Sequence, residues 1–432
     1  GMGGGLRRRG DAGAVPAPIN SFGLGNELRS ALQSVAPSVL CCDSDRLKRL
    51  EGDPGVPGCH VVRVGEPVES RHDAQDYHTL IQGPQHALPE VHLAPDDPAL
   101  ILFTSGATSQ AKGVLSSQRA VCQALTNIDY IGAISAMSSP RTIQRIMQSG
   151  HEPTTLTAVP LFHVSGLHAQ LLTALSKGRR LVFLHRWDTR EALELMRVEQ
   201  VTQFNGAPSM VRQLLAEEEF FDPAIQDVLM GLGFGGAGLP ESLIDRVLTR
   251  MPEKLLGIGY GMTESNGVCA AISGDLFKSN PTSSGLISPL MQVRIASADD
   301  AELPNGEVGE ICLRGAALMQ GYWSGNGVSR QALADGWLHT GDLGYRDDQG
   351  FLYVVDRLKD IINRSGENIA AAEVESCLMT HPAVIEAAVF GVPDPDTDEA
   401  VMAVVSVAPE WDPNPQALRR HVADAWRGTR CR

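Results

Sequence analysis

Five short apolar runs constrain this 432-residue chain more than any other feature: ALILF (99–103), LTAVP (156–160), RLVFL (180–184), VTQFN (201–205) and LLGIG (255–259). Their apolarity is continuous rather than alternating, the pattern of strands covered on both faces as in a layered α/β sheet. Between the last two, LPESLIDRVLTRM (239–251) carries apolar residues at Leu239, Leu243, Ile244, Val247, Leu248 and Met251. That is helical spacing, with Pro240 near the start, where a missing N–H costs little.

After about residue 285 the pattern changes. MQVRIAS, GEICLRG and GFLYVVDR are short strands separated by Gly, Asn and Asp turns, which predicts a small β subdomain. From about 357 it changes again, to a helix around 370–380, the strands VIEAAVFGV and AVMAVVSVA, and a helix within 414–427. The expected fold is α/β: a large N-terminal domain (1–356) of α/β subdomains plus the β subdomain, then a small mobile α+β C-terminal domain (357–432). The charged stretch DRLKDIINRSGEN reads as the hinge between them. Two or more domains also follow from length, since a single core stops growing before this size.

Composition removes several function classes. The formal charge of −15, from 36 basic and 51 acidic residues, argues against general nucleic-acid binding. No apolar run approaches the roughly 20 residues that span a bilayer, and the basic start GMGGGLRRRGDAG lacks the apolar core of a secretory signal. The eight cysteines show no C-x-x-C spacing, so free thiols in a reducing cytoplasm are expected. Homo-oligomer formation is left open.

Three glycine-rich loops compete for chemistry. TSGATSQAKG (104–113) fails the Walker rule, because Ala111 precedes Lys112 and Gly113 follows it. It still suits phosphate: Thr104, Ser105, Thr108 and Ser109 offer hydroxyls, Gly106 and Gly113 let backbone N–H groups approach, and Lys112 adds charge. GFGGAG (233–238) formally matches a dinucleotide-binding fingerprint through Gly233, Gly235 and Gly238, with Glu253 as a loose acidic partner. GIGYGMTES (257–265) combines a ring that could stack on a base (Tyr260), a hydroxyl for phosphate (Thr263) and a carboxylate for Mg²⁺ (Glu264).

Taken in order, TSGATSQAKG, GGAGLP, YGMTE, TGD (340–342) and DRLKDIINRSGEN resemble the adenylate-forming superfamily, with VPLFHVSG, GEICLRG, GYW and GWLHTGDLG in support. The resemblance runs from about residue 13 onward and is most like an acyl-CoA synthetase or fatty-acid–CoA ligase. It implies that a small-molecule carboxylic acid is joined to ATP with Mg²⁺, giving acyl-AMP, and that the acyl group then passes to CoA. It implies that Thr104, Ser105, Gly106, Thr108 and Lys112 surround the β- and γ-phosphates. Gly236, Ala237 and Gly238 would pass beside adenine and the acyl pocket. Tyr260 would lie against adenine, with Gly261 also among the nucleotide-binding positions. Thr263 would contact the α-phosphate and Glu264 would bind the metal. Asp342 would take the ribose hydroxyls with Arg357 nearby, and His163 would stand at the acyl-pocket entrance. Lys359 would mark the hinge, while Ser365 and Gly366 would line the pantetheine tunnel.

Two departures accompany the resemblance. Ser109 and Ala111 stand where the family usually shows Gly and Pro, which is expected to alter loop stiffness rather than binding. The family's second catalytic lysine, in a P-x-x-x-G-K-like segment, has no counterpart, since Lys359 is the last lysine. The sequence is therefore expected to be a piece of a longer enzyme, slow in forming adenylate by itself. The mostly small or apolar pocket segments favour an uncharged acyl or aryl acid. Rival readings are delivery to a carrier protein or amine, a non-catalytic nucleotide-binding homologue and a nicotinamide oxidoreductase.

Overall fold

The computed structural model describes residues 13–51, 54–67, 74–84, 87, 90–104, 112–235, 238–324, 327–365, 367–408, 411 and 414–429. Among these, a 12-stranded sheet forms the spine. Its parallel half runs, in spatial order, Arg180–Phe183, Thr154–Thr157, Gln203–Gly206, Gly231–Phe234 and Leu255–Met262. The sheet then continues antiparallel through Gly267–Ser273, Gly285–Ile287, Phe351–Arg357, Trp337–Arg346, Gly309–Gly315 and Met291–Ala296. The strands expected after residue 285 are thus present and hydrogen-bonded into the same sheet, yet they pack their own core. Phe204, Phe220, Leu232 and Leu256 anchor the parallel half, while Met291, Ile311, Leu313, Leu338 and Leu352 anchor the antiparallel half. Complete burial of a side chain such as Phe204 contributes about 1.5–3 kcal/mol.

The helix expected over 239–251 spans Glu241–Arg250 and buries Leu243, Ile244 and Val247. Pro240 is its N-cap rather than its first turn, with extended backbone at φ −60° and ψ 139°. The ALILF run lies in Pro98–Thr104, but this strand pairs antiparallel with Lys112–Ser117 in a separate four-stranded sheet completed by Gly321–Ser324 and Gly327–Ser329. Continuous apolarity reports cover in ALILF, where Leu100, Ile101, Leu102 and Phe103 are buried, but not in RLVFL, an edge strand with Phe183 exposed, and it is silent on the direction of the neighbouring strand. The strand Gly231–Phe234 has little sequence signal because glycine is a poor strand former. Its position needs glycine all the same: a Cβ at Gly233 would meet Asn205 Oδ1 at 2.1 Å.

Past Arg357 the chain makes one 3₁₀ turn, Leu358–Asp360, and enters the hairpin Ile361–Arg364 and Glu367–Ala370. These join Asp398–Val407 and Val384–Asp394 in a four-stranded sheet. The helices Ala371–Met379 and Pro415–Thr429 complete this small α+β unit, whose core includes Ile362, Val374, Leu378 and Val389. Asp356 bridges the junction, its Oδ2 accepting from Ala372 N at 3.1 Å in the first turn of the helix. The hinge expected from charge alone is therefore mostly ordered as a β-hairpin.

Candidate functional site

The parallel strands all point the same way, so the segments that follow them collect at one edge of the sheet. These are the His163 turn after Thr154–Thr157, the Ala207–Pro208 step after Gln203–Gly206, and the glycine loop after Gly231–Phe234. In open α/β sheets ligands bind beyond the carboxyl ends of the strands. The strand Leu255–Met262 overshoots this edge: Ile258 pairs with Phe234, the last residue of its parallel neighbour, and residues 259–262 continue paired only to Gly267–Ser273. Tyr260, Thr263 and Glu264 are thereby carried beyond the parallel edge.

The first constellation joins Tyr260, Asp342 and Arg357. Tyr260 Oη donates to Asp342 Oδ2 at 2.7 Å, and Arg357 Nε stands 3.5 Å from Asp342 Oδ1. Asp342 and Arg357 are register partners on neighbouring strands, so the pair is built into the sheet. Burial pushes the Asp342 carboxyl above the ordinary carboxylate range, opposed by the Tyr260 hydrogen bond and by the charges of Arg357 and Lys359. The same burial, with Asp342 adjacent, pushes the Tyr260 phenol up, so it remains a neutral donor. Among the described residues Asp342 Oδ1 has only the long contact to Arg357, which leaves it able to accept from a hydroxyl.

The second constellation joins Glu264, Tyr322 and Lys112. Glu264 lies in the single turn Thr263–Ser265, fixed by Asn266 in left-handed backbone at φ 55° and by the Asn266 amide donating to Ala317 O at 2.9 Å. Tyr322 Oη donates to Glu264 Oε1 at 2.8 Å, and Lys112 Nζ sits 5.0 Å from the centre of the Tyr322 ring. Burial, then the Glu264 charge, pushes the Tyr322 phenol up. Thr104 and Lys112 are register partners on adjacent antiparallel strands. The strand that ends at Thr104 also packs against the Thr263–Ser265 turn. The Glu264 carboxylate, with a lysine and a threonine nearby, fits Mg²⁺, which binds through one or two carboxylates plus substrate phosphates.

Ser105, Gly106, Thr108, Gly236, Ala237 and Gly366 lie outside the described residues. Gly235 and Gly238 are described, and a Cβ on either would meet nothing within 4 Å, so they face open space. Gly261 has a packing reason of its own, since a Cβ there would lie 1.9 Å from Gly267 O. His163 heads its own turn, exposed, with its ring 4.6 Å from that of Phe162. Lys359 is exposed on the turn after Arg357, close enough to Asp342 for its charge to act there. Ser365 is exposed at the tip of the small-domain hairpin at φ 53°, its N–H bonded to Thr397 O at 2.8 Å. Tyr322 is a site residue that sequence reasoning noted only within GYW. Its role is invisible in sequence because 58 residues separate it from Glu264. The GFGGAG stretch does open a strand–helix–strand unit, but Glu253 sits exposed before the second strand, at the end opposite the ligand edge. A dinucleotide fingerprint needs its acid at the other end, so that reading fails.

Comparison with known proteins gives a consistent result. A family model described as AMP-binding enzyme matches residues 11–323, and one described as AMP-binding enzyme C-terminal domain matches 373–428. A 4-coumarate–CoA ligase-like protein of Arabidopsis thaliana is 32% identical over 397 residues, covering 91% of this chain and 66% of its own length. Among solved structures, ATP-bound MatB from Rhodopseudomonas palustris superimposes with a TM-score of 0.81 at 25% identity, over 96% of this chain and 78% of its own. The amide bond synthetase McbA from Marinactinospora thermotolerans does so with a TM-score of 0.77 at 29% identity, over 96% of this chain and 79% of its own.

Proposed function

Because the chain belongs to the AMP-binding enzyme family, we propose that it activates a carboxylic acid with ATP and passes the acyl group to the thiol of CoA. The observation that carries this reading is the pairing of the two constellations at one edge of the sheet. Tyr260, Asp342 and Arg357 form a nucleoside site, and Lys112, Tyr322 and Glu264 form a phosphate and metal site.

In the first half-reaction a carboxylate oxygen attacks the α-phosphorus of ATP. The bond to the β-phosphate oxygen breaks, and pyrophosphate leaves with the electron pair. Lys112, with Thr104 and the hydroxyls of the loop between them, holds the departing negative charge. Thr263 contacts the α-phosphate, Glu264 would hold Mg²⁺, and Asp342 accepts from the ribose with Tyr260 and Arg357 fixing its carboxylate. When bound, Mg²⁺ would neutralise charge on the phosphates. In the second half-reaction a thiolate attacks the acyl carbon and AMP leaves. The division at residue 356, the turning of 357–432 about Lys359, the place of His163 at the acyl entrance and the lining of a thiol tunnel by Ser365 belong to the same proposal.

The acid is read as an uncharged acyl or aryl acid, supported by the mostly small or apolar sequence segments 163–167, 204–209, 235–238 and 264–269 and by the similarity to a 4-coumarate–CoA ligase-like protein. The thiols of Cys42, Cys59, Cys122, Cys269, Cys312 and Cys377 support a reducing, cytoplasmic setting, and no helix among the described residues is long and apolar enough to cross a membrane. Likeness to an amide bond synthetase supports one second reading, in which an amine replaces CoA as acceptor. The test incubates the protein with ATP, Mg²⁺ and a panel of aliphatic and aryl acids, following pyrophosphate release and then thioester after adding CoA. Pyrophosphate with thioester is the expected result. Pyrophosphate with amide but no thioester favours the second reading. ATP binding without pyrophosphate from any acid would overturn both.

A further inference from the structure

Asp342 reaches its position through an irregularity in the sheet. Glu310 pairs with Leu343 and Cys312 pairs with His339, so the three residues Thr340, Gly341 and Asp342 stand opposite the single residue Ile311. Bulges of this kind bend a strand and re-aim a side chain. Gly341 takes a left-handed φ of 72° inside it. The Thr340 hydroxyl ties the inner side, donating to Ile311 O at 2.7 Å and accepting from Asp342 N at 3.0 Å.

The outer side is tied by a carboxylate that the reaction does not use. Glu310 Oε1 accepts from Gly341 N at 2.9 Å, and its Oε2 lies 2.9 Å from His339 Nδ1. Only 21% of the Glu310 side chain is exposed. The far nitrogen of the imidazole, His339 Nε2, is 3.8 Å from Asp300 Oδ1, which Arg294 Nη2 holds at 2.6 Å. Asp300, Cys312 and His339 bring donor atoms within 4.8 Å of one another, but the Arg294 guanidinium already supplies the positive charge there, so the cluster is a brace and not a cation site.

We propose that Glu310 is a positioning residue for nucleotide recognition. It holds the Thr340–Asp342 bulge in the shape that aims the Asp342 carboxylate at Tyr260 and at a ribose, with His339 and Asp300 fixing the Glu310 carboxylate in turn. This rests on the reading of Asp342 as the ribose acceptor. A hydrogen bond to a charged group is strong enough that its loss changes affinity by about tenfold or more.

The test compares binding of ATP with binding of 2′,3′-dideoxy-ATP, which lacks both hydroxyls, by calorimetry in the presence of Mg²⁺. The unaltered protein is expected to prefer ATP by about tenfold. Glu310→Ala is expected to cut that preference to below about threefold while leaving dideoxy-ATP affinity unchanged. Glu310→Gln, whose amide oxygen still accepts from Gly341, is expected to keep most of the preference. A merely structural role would weaken both nucleotides alike and leave the ratio intact. Thr340→Val loosens the same bulge from its other side and should also lower the ratio, which gives a second reading should Glu310→Ala fail to fold. A full preference retained in whichever of these two variants fold overturns the positioning role. A full preference retained in Asp342→Asn overturns the ribose reading, and the positioning role with it.

Discussion

Tyr322 sits between two opposite charges, its hydroxyl on Glu264 and its ring under the Lys112 ammonium. Removing only the hydroxyl separates these roles, because a phenylalanine ring still attracts the cation. Tyr322→Phe is expected to weaken Mg²⁺-dependent ATP binding by about tenfold, with Glu264→Gln weakening it further, and both should unfold at the unaltered midpoint. Titrating Mg²⁺ at fixed ATP checks this, and unchanged binding in Glu264→Gln would remove the metal role. Asp342 supplies a pH signature. Its carboxyl is raised chiefly by burial, so in the proposed ribose role affinity is present above the folded pKa and is lost as pH falls through it. The loss should begin above the ordinary aspartate range near about 3.9. The linkage to stability has the opposite sense. A raised carboxyl favours the folded state where it is protonated, and that contribution disappears as pH rises. Asp342→Asn is thus expected to bind ATP more weakly while unfolding at higher urea near neutral pH. A lower midpoint would contradict the burial argument.

At the scale of elements, the site depends on one strand that outruns its parallel neighbours. Leu255–Met262 is held beyond the edge by Gly267–Ser273, with a register shift between Tyr260 and Gly261. The two backbones approach so closely there that a side chain on Gly261 has no room. Gly261→Ala must push these strands apart or shift their register, at a cost of about 1–3 kcal/mol. Because Tyr260 adjoins the shift, the same change should weaken ATP binding. Urea unfolding and calorimetry on the one variant check both parts. Lost binding with unchanged stability would point to direct ligand contact by Gly261 instead. The dinucleotide fingerprint fails at this scale too, since only the strand–helix–strand layout reveals that Glu253 is at the wrong end.

For the whole molecule, the question is how the small C-terminal unit is held. Asp356 caps its helix from the last large-domain strand. Arg212, from the helix Pro208–Ala216, bonds the backbone carbonyl of Ile385 and pairs with Glu386 at 2.7 Å. That pair is partly exposed, so its worth is under about 1 kcal/mol. Arg212→Ala should therefore leave the main unfolding midpoint almost unchanged. It should instead speed proteolytic cleavage between residues 357 and 366, where the chain crosses to the small unit. Limited proteolysis resolved by mass checks this, and unaltered cleavage would show that Arg212 does not hold the unit in place.

The sequence by itself placed strands at or beside the five apolar runs, but not their cover: RLVFL is an edge strand whose Phe183 is 54% exposed, and LTAVP is strand only at Leu156 and Thr157. It also determined the helix at 239–251 through its spacing, and the order of loops that resembles one superfamily. These are local signals, carried by residues within a few positions of one another. It did not reveal that ALILF pairs antiparallel, that the β strands after residue 285 extend the same sheet, or that GLGF is a strand. The last two depend on partners far along the chain, whereas ALILF pairs with the next strand, Lys112–Ser117, whose direction apolarity does not encode. The contacts that make the site were decided only by tertiary structure: Tyr260 with Asp342 across 82 positions, Glu264 with Tyr322 across 58, and His339 with Glu310 across 29. The physical reason is that hydrogen bonds act over about 3 Å of space, and only the sheet register brings such distant positions that close.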